Sequence, residues 1–265
     1  MQKKLKLGLA LGSGGAFGFA FLGVLEELDK AGVEVSVISG SSMGSIFGAL
    51  YAGGAKVSDM HEFCKKLKLI HILDLSLGKL GIVKGEKAIK VISRAMERFN
   101  VPHNIQDFKI KFGAVATDVY TAKSVYFTKG DVLEALRASF SIPGIFRPVE
   151  MDGKLLIDGG TICRVPVRLA RKLGADVVVG LDCVGTNQVC TKDDVNSYAK
   201  LITRIMYIMD YNASKNEIAE ADISIDMHQP GVDPVSFKNM EKSIEIGRKY
   251  GKKIVKILKE KNYQF

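Results

Sequence analysis

Ser42 sits in Gly40-Ser41-Ser42-Met43-Gly44, a G-x-S-x-G run between the apolar stretch Val35–Ser39 and the helical pattern Met43–Ala52. A strand, a tight turn and a helix form the setting of a nucleophile elbow, in which the serine projects at the strand's end. The positions two before and two after the serine must be small, and Gly40 and Gly44 meet that demand. A helix N-terminus beneath the hydroxyl favours negative charge there. Taken alone, the run is more often an ordinary glycine-serine turn.

A second glycine run, Gly12-Ser13-Gly14-Gly15-Ala16-Phe17-Gly18, also falls between a strand-like and a helix-like stretch. Its amides can approach a ligand closely. A phosphate cradle is one reading. However, the dinucleotide fingerprint counted from Gly12 puts its third glycine on Phe17, and the Gly-Lys-Ser/Thr ending of a Walker loop is missing. The other reading is an oxyanion hole. A third run, Asp158-Gly159-Gly160, follows the strand-like Lys154–Ile157, and its carboxylate could stand close to another backbone.

A nucleophilic serine needs a base. His61, His71, His103 and His228 all lie in surface-like contexts, and His228, in a late loop, is the best placed of the four. Asp158 is the alternative. A free aspartate, with a pKa near 3.9, is a poor acceptor unless a dry site raises its basicity.

The elements that must carry these runs alternate. Strand-like stretches at Leu5–Leu11, Val35–Ser39, Ile110–Thr117, Leu155–Ile157, Val177–Leu181 and Ile223–Ile225 are separated by helical patterns at Phe19–Ala31, Met43–Ala52, Val57–Leu67, Gly85–Phe99 and Gly130–Phe140. Strands apolar throughout imply a mostly parallel central sheet covered on both faces, an α/β three-layer sandwich. The 265 residues fit one domain over 1–265, with the motifs in 5–182 and a helical part in 193–265. The uncharged stretch Leu7–Leu25 could be a signal peptide or membrane span. Its six glycines and the missing A-x-A site favour a buried strand, loop and helix. His71–Gly85 reads as a packed loop or a lid. In 193–220, Val195, Tyr198, Leu201, Ile202, Ile205, Met206 and Met209 form an apolar stripe expected in the core, against an acyl chain or at a dimer face. Lys238–Lys261 reads as a last helix, split or bent near Gly247 or Gly251.

The four cysteines form no CxxC pair and no zinc spacing, so no metal is expected and a reduced, cytoplasmic setting is the simple reading. The net charge is +9, and residues 238–261 hold nine Lys/Arg against three Glu. That excess is either a solvated helix face or a surface for peripheral contact with anionic membrane. Nucleic acid is not expected, because no recognition motif accompanies the charge.

Together, in this order, G-S-G-G-A-F-G, G-S-S-M-G and D-G-G resemble the patatin-like phospholipases and acyl hydrolases. The likeness extends over Leu5–Gly54, Ala116-Thr117-Asp118 and Gly130–Gly160. It implies a patatin-like fold and a Ser–Asp dyad, with Ser42 as nucleophile and Asp158 as its activating carboxylate. It also implies an oxyanion loop of Gly14, Gly15 and Ala16, and no cofactor. The implied chemistry is cleavage of lipid or related carboxylic esters through an acyl-enzyme. An acyltransferase using the same dyad and a non-catalytic lipid-binding protein on the same fold are the alternatives. Two positions depart from the family: Phe17 stands where Arg or Lys is usual, and Arg164 stands where asparagine precedes the proline. Arg164 or Arg147 is expected to supply the missing head-group charge. The sequence is silent on acyl chain, head group and oligomeric state.

Overall fold

The computed structural model describes residues 5–78, 81–185, 192–261 and 263. The strands are β1 (Leu7–Leu11), β2 (Val35–Ser41), β3 (Leu75–Gly78), β4 (Gly81–Val83), β5 (Lys111–Asp118), β6 (Lys123–Phe127), β7 (Val149–Met151), β8 (Lys154–Asp158), β9 (Val177–Asp182) and β10 (Ile223–Asp226). The α-helices are α1 (Ala20–Lys30), α2 (Met43–Ala52), α3 (Val57–Lys65), α4 (Glu86–Phe99), α5 (Val132–Ser139), α6 (Val167–Lys172), α7 (Tyr198–Ile218) and α8 (Met240–Glu260).

One sheet runs in the order β10-β9-β1-β2-β5-β8-β7, with β6 also on β5. The strands from β10 to β5 pair in parallel, whereas β6, β7 and β8 pair antiparallel, so the sheet is mixed. The parallel part matches the uninterrupted apolar strands. β6 and β7 escape sequence reading because they are short and only partly buried. β1 is buried along its whole length. Its Leu7, Leu9 and Leu11 belong to the large core shared with α1, α2 and α8. Its Ala10 faces Val167 and Ala170 of α6 on the other side. The sheet is thus covered on both faces, and the stretch weighed as a signal peptide supplies its central strand and α1.

Register explains how distant residues meet. β2 occupies residues 111–115 of β5 and β8 occupies 116–118, while β6 pairs with 114–118. A strand has two edges, and β6 overlaps both β2 and β8, so β6 holds one edge and the other two share the second. β2 and β8 therefore meet end to end, with Ser41 opposite Val115 and Asp158 opposite Ala116. Residues 116 positions apart reach one level of the sheet by this abutment.

The His71–Gly85 segment contains the β3–β4 hairpin; positions 79–80 lie outside the described residues. It is tied down at both ends. The Asp74 carboxylate accepts the Gly85, Glu86 and Lys87 amides at the start of α4, and the Val83 amide donates to the Ile145 carbonyl.

The last helix is neither split nor bent into two pieces: α8 runs continuously over Met240–Glu260. Gly247 and Gly251 serve contact rather than bending. A Cβ on Gly247 would stand 1.9 Å from the Ala20 carbonyl oxygen, and one on Gly251 would stand 2.8 Å from Glu27 Cβ. These glycines let α8 lie directly on α1. Gly247→Ala must push the two helices apart, and we expect a loss of roughly 1–3 kcal/mol, read by chemical denaturation. Among the described residues, no helix is long and apolar enough to cross a membrane.

Candidate active site

Ser42 links β2 to α2 with φ 52° and ψ −122°. A positive φ in a non-glycine residue is strained, by about 1–3 kcal/mol, and persists only where its surroundings hold it. Three contacts hold it here. The Ser42 amide donates to Ser139 Oγ at 3.0 Å. The Ser42 carbonyl accepts from the Ser45 hydroxyl at 2.6 Å and from the Ser45 amide at 2.9 Å. Gly40 and Gly44 allow the turn to close, since a Cβ on Gly44 would lie 2.3 Å from the Leu11 carbonyl oxygen. Ser42 is the N-cap of α2, yet its hydroxyl makes no capping hydrogen bond. A serine there ordinarily gives its side chain to the first turn.

The Ser42 hydroxyl faces Asp158, at the end of β8. Asp158 Oδ1 accepts the Gly160 amide at 2.7 Å, and Oδ2 is buried without a well-formed hydrogen bond. Burial pushes the Asp158 carboxyl up to about 7, against the lowering effect of the Ser42 hydroxyl and the Gly160 amide. Ser42 acts on this carboxyl as a hydrogen-bonding partner does. The Asp158 amide donates to the Ser141 carbonyl, so the end of α5 and the residues after it brace Ser42 through Ser139 and Asp158 through Ser141. Sequence reading missed both serines, since a buried serine carries no signal of its partner.

The glycine loop closes the third side. Gly14 has φ 154° and Gly15 has φ 55°. Among the described residues, neither amide donates a hydrogen bond, and both residues line the same cavity as Ser42 and Asp158. Ala16, expected beside them as an oxyanion donor, is corrected: its amide donates to the Pro234 carbonyl at 2.9 Å. Three of the other motif glycines are structural. The Gly12 amide donates to the Leu181 carbonyl, Gly18 packs on Met43, and Gly159 lies against the Val115 carbonyl.

The cavity measures about 250 Å³, and its walls include Ile142, Pro143, Ile145, Met206, Met209 and Val235. None of the four histidines lines it. Met206 and Met209, from the 193–220 stripe, stand in this wall. Asp210 and Tyr207 also line it, and burial raises the Asp210 carboxyl to about 7 against the pull of Arg164.

Arg164 corrects an expectation. It is 1% exposed and reaches neither the cavity nor solvent. Its guanidinium pairs with Asp182 and Asp210, each at 2.9 Å, and donates to the Tyr207 carbonyl at 3.1 Å. Its main chain braces the glycine loop instead: the Ser13 amide donates to the Arg164 carbonyl, and the Arg164 amide donates to Ser214 Oγ. Arg147 is likewise absent from the cavity wall. Its backbone pairs with Val83 and Arg137. Phe17 is buried, and its carbonyl accepts from Gln229 and Ser243. Position 17 thus holds a buried ring and no charge.

Gly15 offers a sharp test of the loop. An alanine Cβ there would stand 2.6 Å from the Pro234 carbonyl oxygen. We expect Gly15→Ala to lower kcat on a soluble ester by about 10²–10³, the loss typical of one oxyanion donor, with the protein still folded.

A family model described as patatin-like phospholipase matches residues 9–171. An uncharacterized NTE family protein of Mycobacterium tuberculosis (strain ATCC 25618 / H37Rv) is 34% identical over 205 residues, covering 76% of this chain and 56% of the relative. The lysophospholipase NTE1 of Phaeosphaeria nodorum is 28% identical over 286 residues, covering 96% of this chain and 18% of the relative. The chain thus spans little more than half, or less, of the length of these relatives. The crystal structure of VipD from Legionella pneumophila superposes with a TM-score of 0.60 at 13% identity, over 96% of this chain and 67% of VipD, a likeness of fold.

Proposed function

Since the chain belongs to the patatin-like phospholipase family, we propose that it hydrolyses lipid or related carboxylic esters as a single acyl hydrolase domain, with Ser42 as nucleophile and Asp158 as base. One observation carries this reading. The Ser42 hydroxyl is withheld from capping its helix and faces a buried carboxylate whose affinity for a proton is raised to the working range.

Each step has an owner. Ser42 Oγ attacks the ester carbonyl as its proton passes to Asp158. The carbonyl oxygen gains the charge and accepts hydrogen bonds from the Gly14 and Gly15 amides. The carbon–oxygen bond to the alcohol then breaks, and the leaving oxygen takes the proton held by Asp158. Water attacks the acyl-enzyme by the same path, releasing the fatty acid and restoring Ser42. The apolar walls suit an acyl chain.

The relative from Phaeosphaeria nodorum is named a lysophospholipase, which makes monoacyl phospholipid the first substrate to try. Buried free thiols at Cys64, Cys163 and Cys183 support a reducing, cytoplasmic setting, and the net charge of +9 supports peripheral contact with anionic membrane. The test is release of fatty acid from lysophosphatidylcholine, from diacyl phosphatidylcholine and from a soluble p-nitrophenyl ester. Release by the wild type and none by Ser42→Ala is expected. No release from any of the three, with or without vesicles, would overturn the reading.

A further inference from the structure

The helix α7 is built the wrong way round for a helix facing water. Tyr198, Leu201, Ile202, Ile205, Ile208 and Met209 recur at spacings of three and four, so they share one side, and all are exposed, by 37–81%. Its buried side carries Asp210, Ser214 and Glu217, each under 9% exposed. A surface helix ordinarily turns its apolar stripe inward. This one cannot rotate to do so. Asp210 is paired with Arg164, Ser214 accepts the Arg164 amide and Glu217 accepts the Arg168 amide, so rotation would strand a buried cation.

We propose that this outward stripe of α7 docks on an anionic lipid bilayer and sets the mouth of the Ser42 cavity on the membrane. The inference rests on the hydrolase reading for the identity of the cavity, and it names the surface that approaches the lipid. Three observations choose a bilayer over a protein. The stripe is continuous with the cavity, since Met209, 66% exposed, and Val235, 37% exposed, belong both to the outer surface and to the cavity wall. A second copy seated there would cover the entrance, whereas a bilayer would feed it. The charges from Tyr198 to Met209 are Lys200 and Arg204, with no acid among them, which suits anionic headgroups around an inserted apolar stripe. The cationic α8, by contrast, has its apolar face committed to the core, with Ile244, Ile254 and Leu258 buried, and offers charge alone.

The test uses the whole chain and vesicles of non-hydrolysable diether phosphatidylcholine, with and without diether phosphatidylglycerol. Leu201→Gln, Ile205→Gln and Ile208→Gln together keep the charge and lie outside the cavity wall. Their combined effect should be a fall in vesicle partitioning of at least about tenfold, from the apolar area withheld from lipid. Hydrolysis of a soluble ester should be unchanged. The sequence contains no tryptophan, so Ile205→Trp places a single reporter on the stripe. Its emission should shift to the blue with phosphatidylglycerol vesicles and be quenched by brominated lipid. A triple variant that partitions as the wild type does, or a reporter indifferent to vesicles, would overturn the proposal. So would a dimer, seen by light scattering, that the triple variant abolishes. Ser42→Ala should bind vesicles as the wild type does. A chain that binds through the stripe yet cleaves no ester would sink the hydrolase reading and leave the docking surface standing.

Discussion

Asp158→Asn lowers kcat/KM on a soluble ester by about 10²–10⁴, the range of a lost general base, and makes the protein more stable at pH 8. Both effects follow from one environment. The carboxyl is buried, and its pKa is raised to about 7 from an ordinary value near 3.9. Between those values the folded chain holds a proton that the unfolded chain has released. Stability therefore falls as pH rises from about 4 to about 7, and the deficit is complete above that. Asparagine, neutral throughout, escapes it. Its Oδ1 still accepts the Gly160 amide in the place of the carboxylate oxygen. The gain in unfolding temperature should be largest at pH 8 and vanish toward pH 4. In the wild type, hydrolysis should fall on the acid side near pH 7, as the base becomes protonated. Asp182 and Glu217 remain in both proteins and cancel in the difference, which reads Asp158 together with the relief of Asp210, whose carboxyl the Asp158 charge also pushes up. An asparagine variant that is inactive but no more stable at pH 8 would mean that the wild-type carboxylate is better stabilised than its burial implies.

Arg164→Met unfolds easily. It removes the cation between Asp182 and Asp210 and leaves two buried carboxylates without it. Breaking a buried pair from one side costs about 3–5 kcal/mol, because the remaining charges lose their counter-ion where solvent is scarce. For a chain of this size that lowers the unfolding temperature by on the order of 10 °C. The defect should shrink at low pH, where the orphaned acids take up protons. Adding Asp182→Asn and Asp210→Asn should restore much of the loss by removing the stranded charge. Arg164→Lys should recover little, since one ammonium cannot hold two carboxylates and the Tyr207 carbonyl with the same fork. Scanning calorimetry at pH 5 and pH 8 reads the three variants against the wild type. Wild-type stability in Arg164→Met would show the cluster to be dispensable.

The parts of this fold that are local in sequence are the parts that could be read from it. The G-x-S-x-G turn, the glycine loop and the buried parallel strands each announce themselves within a dozen residues, because glycine spacing and apolar runs act on the chain nearby. What joins them is not local. Nothing in Lys154–Asp158 says that β8 takes over the edge of β5 where β2 leaves off, yet that abutment brings Asp158 to Ser42. Arg164 reads as a candidate head-group cation, because nothing near it in sequence announces its two acids, which lie 18 and 46 positions away. The resemblance implies Ala16 beside Gly14 and Gly15 in the oxyanion loop, but Pro234, more than two hundred residues on, accepts the Ala16 amide. Periodicity detects the apolar stripe of α7 without saying which way it faces. The same limit applies to Gly247, where a helix contact looks like a helix break.

The central claim is that Ser42 is an activated nucleophile. Treating the folded protein with a fluorophosphonate, then reading intact mass and mapping peptides, tests it most directly. One adduct is expected, on Ser42, absent from Ser42→Ala and formed far more slowly in Asp158→Asn. An adduct on a different serine, or none with and without lipid vesicles, would contradict it.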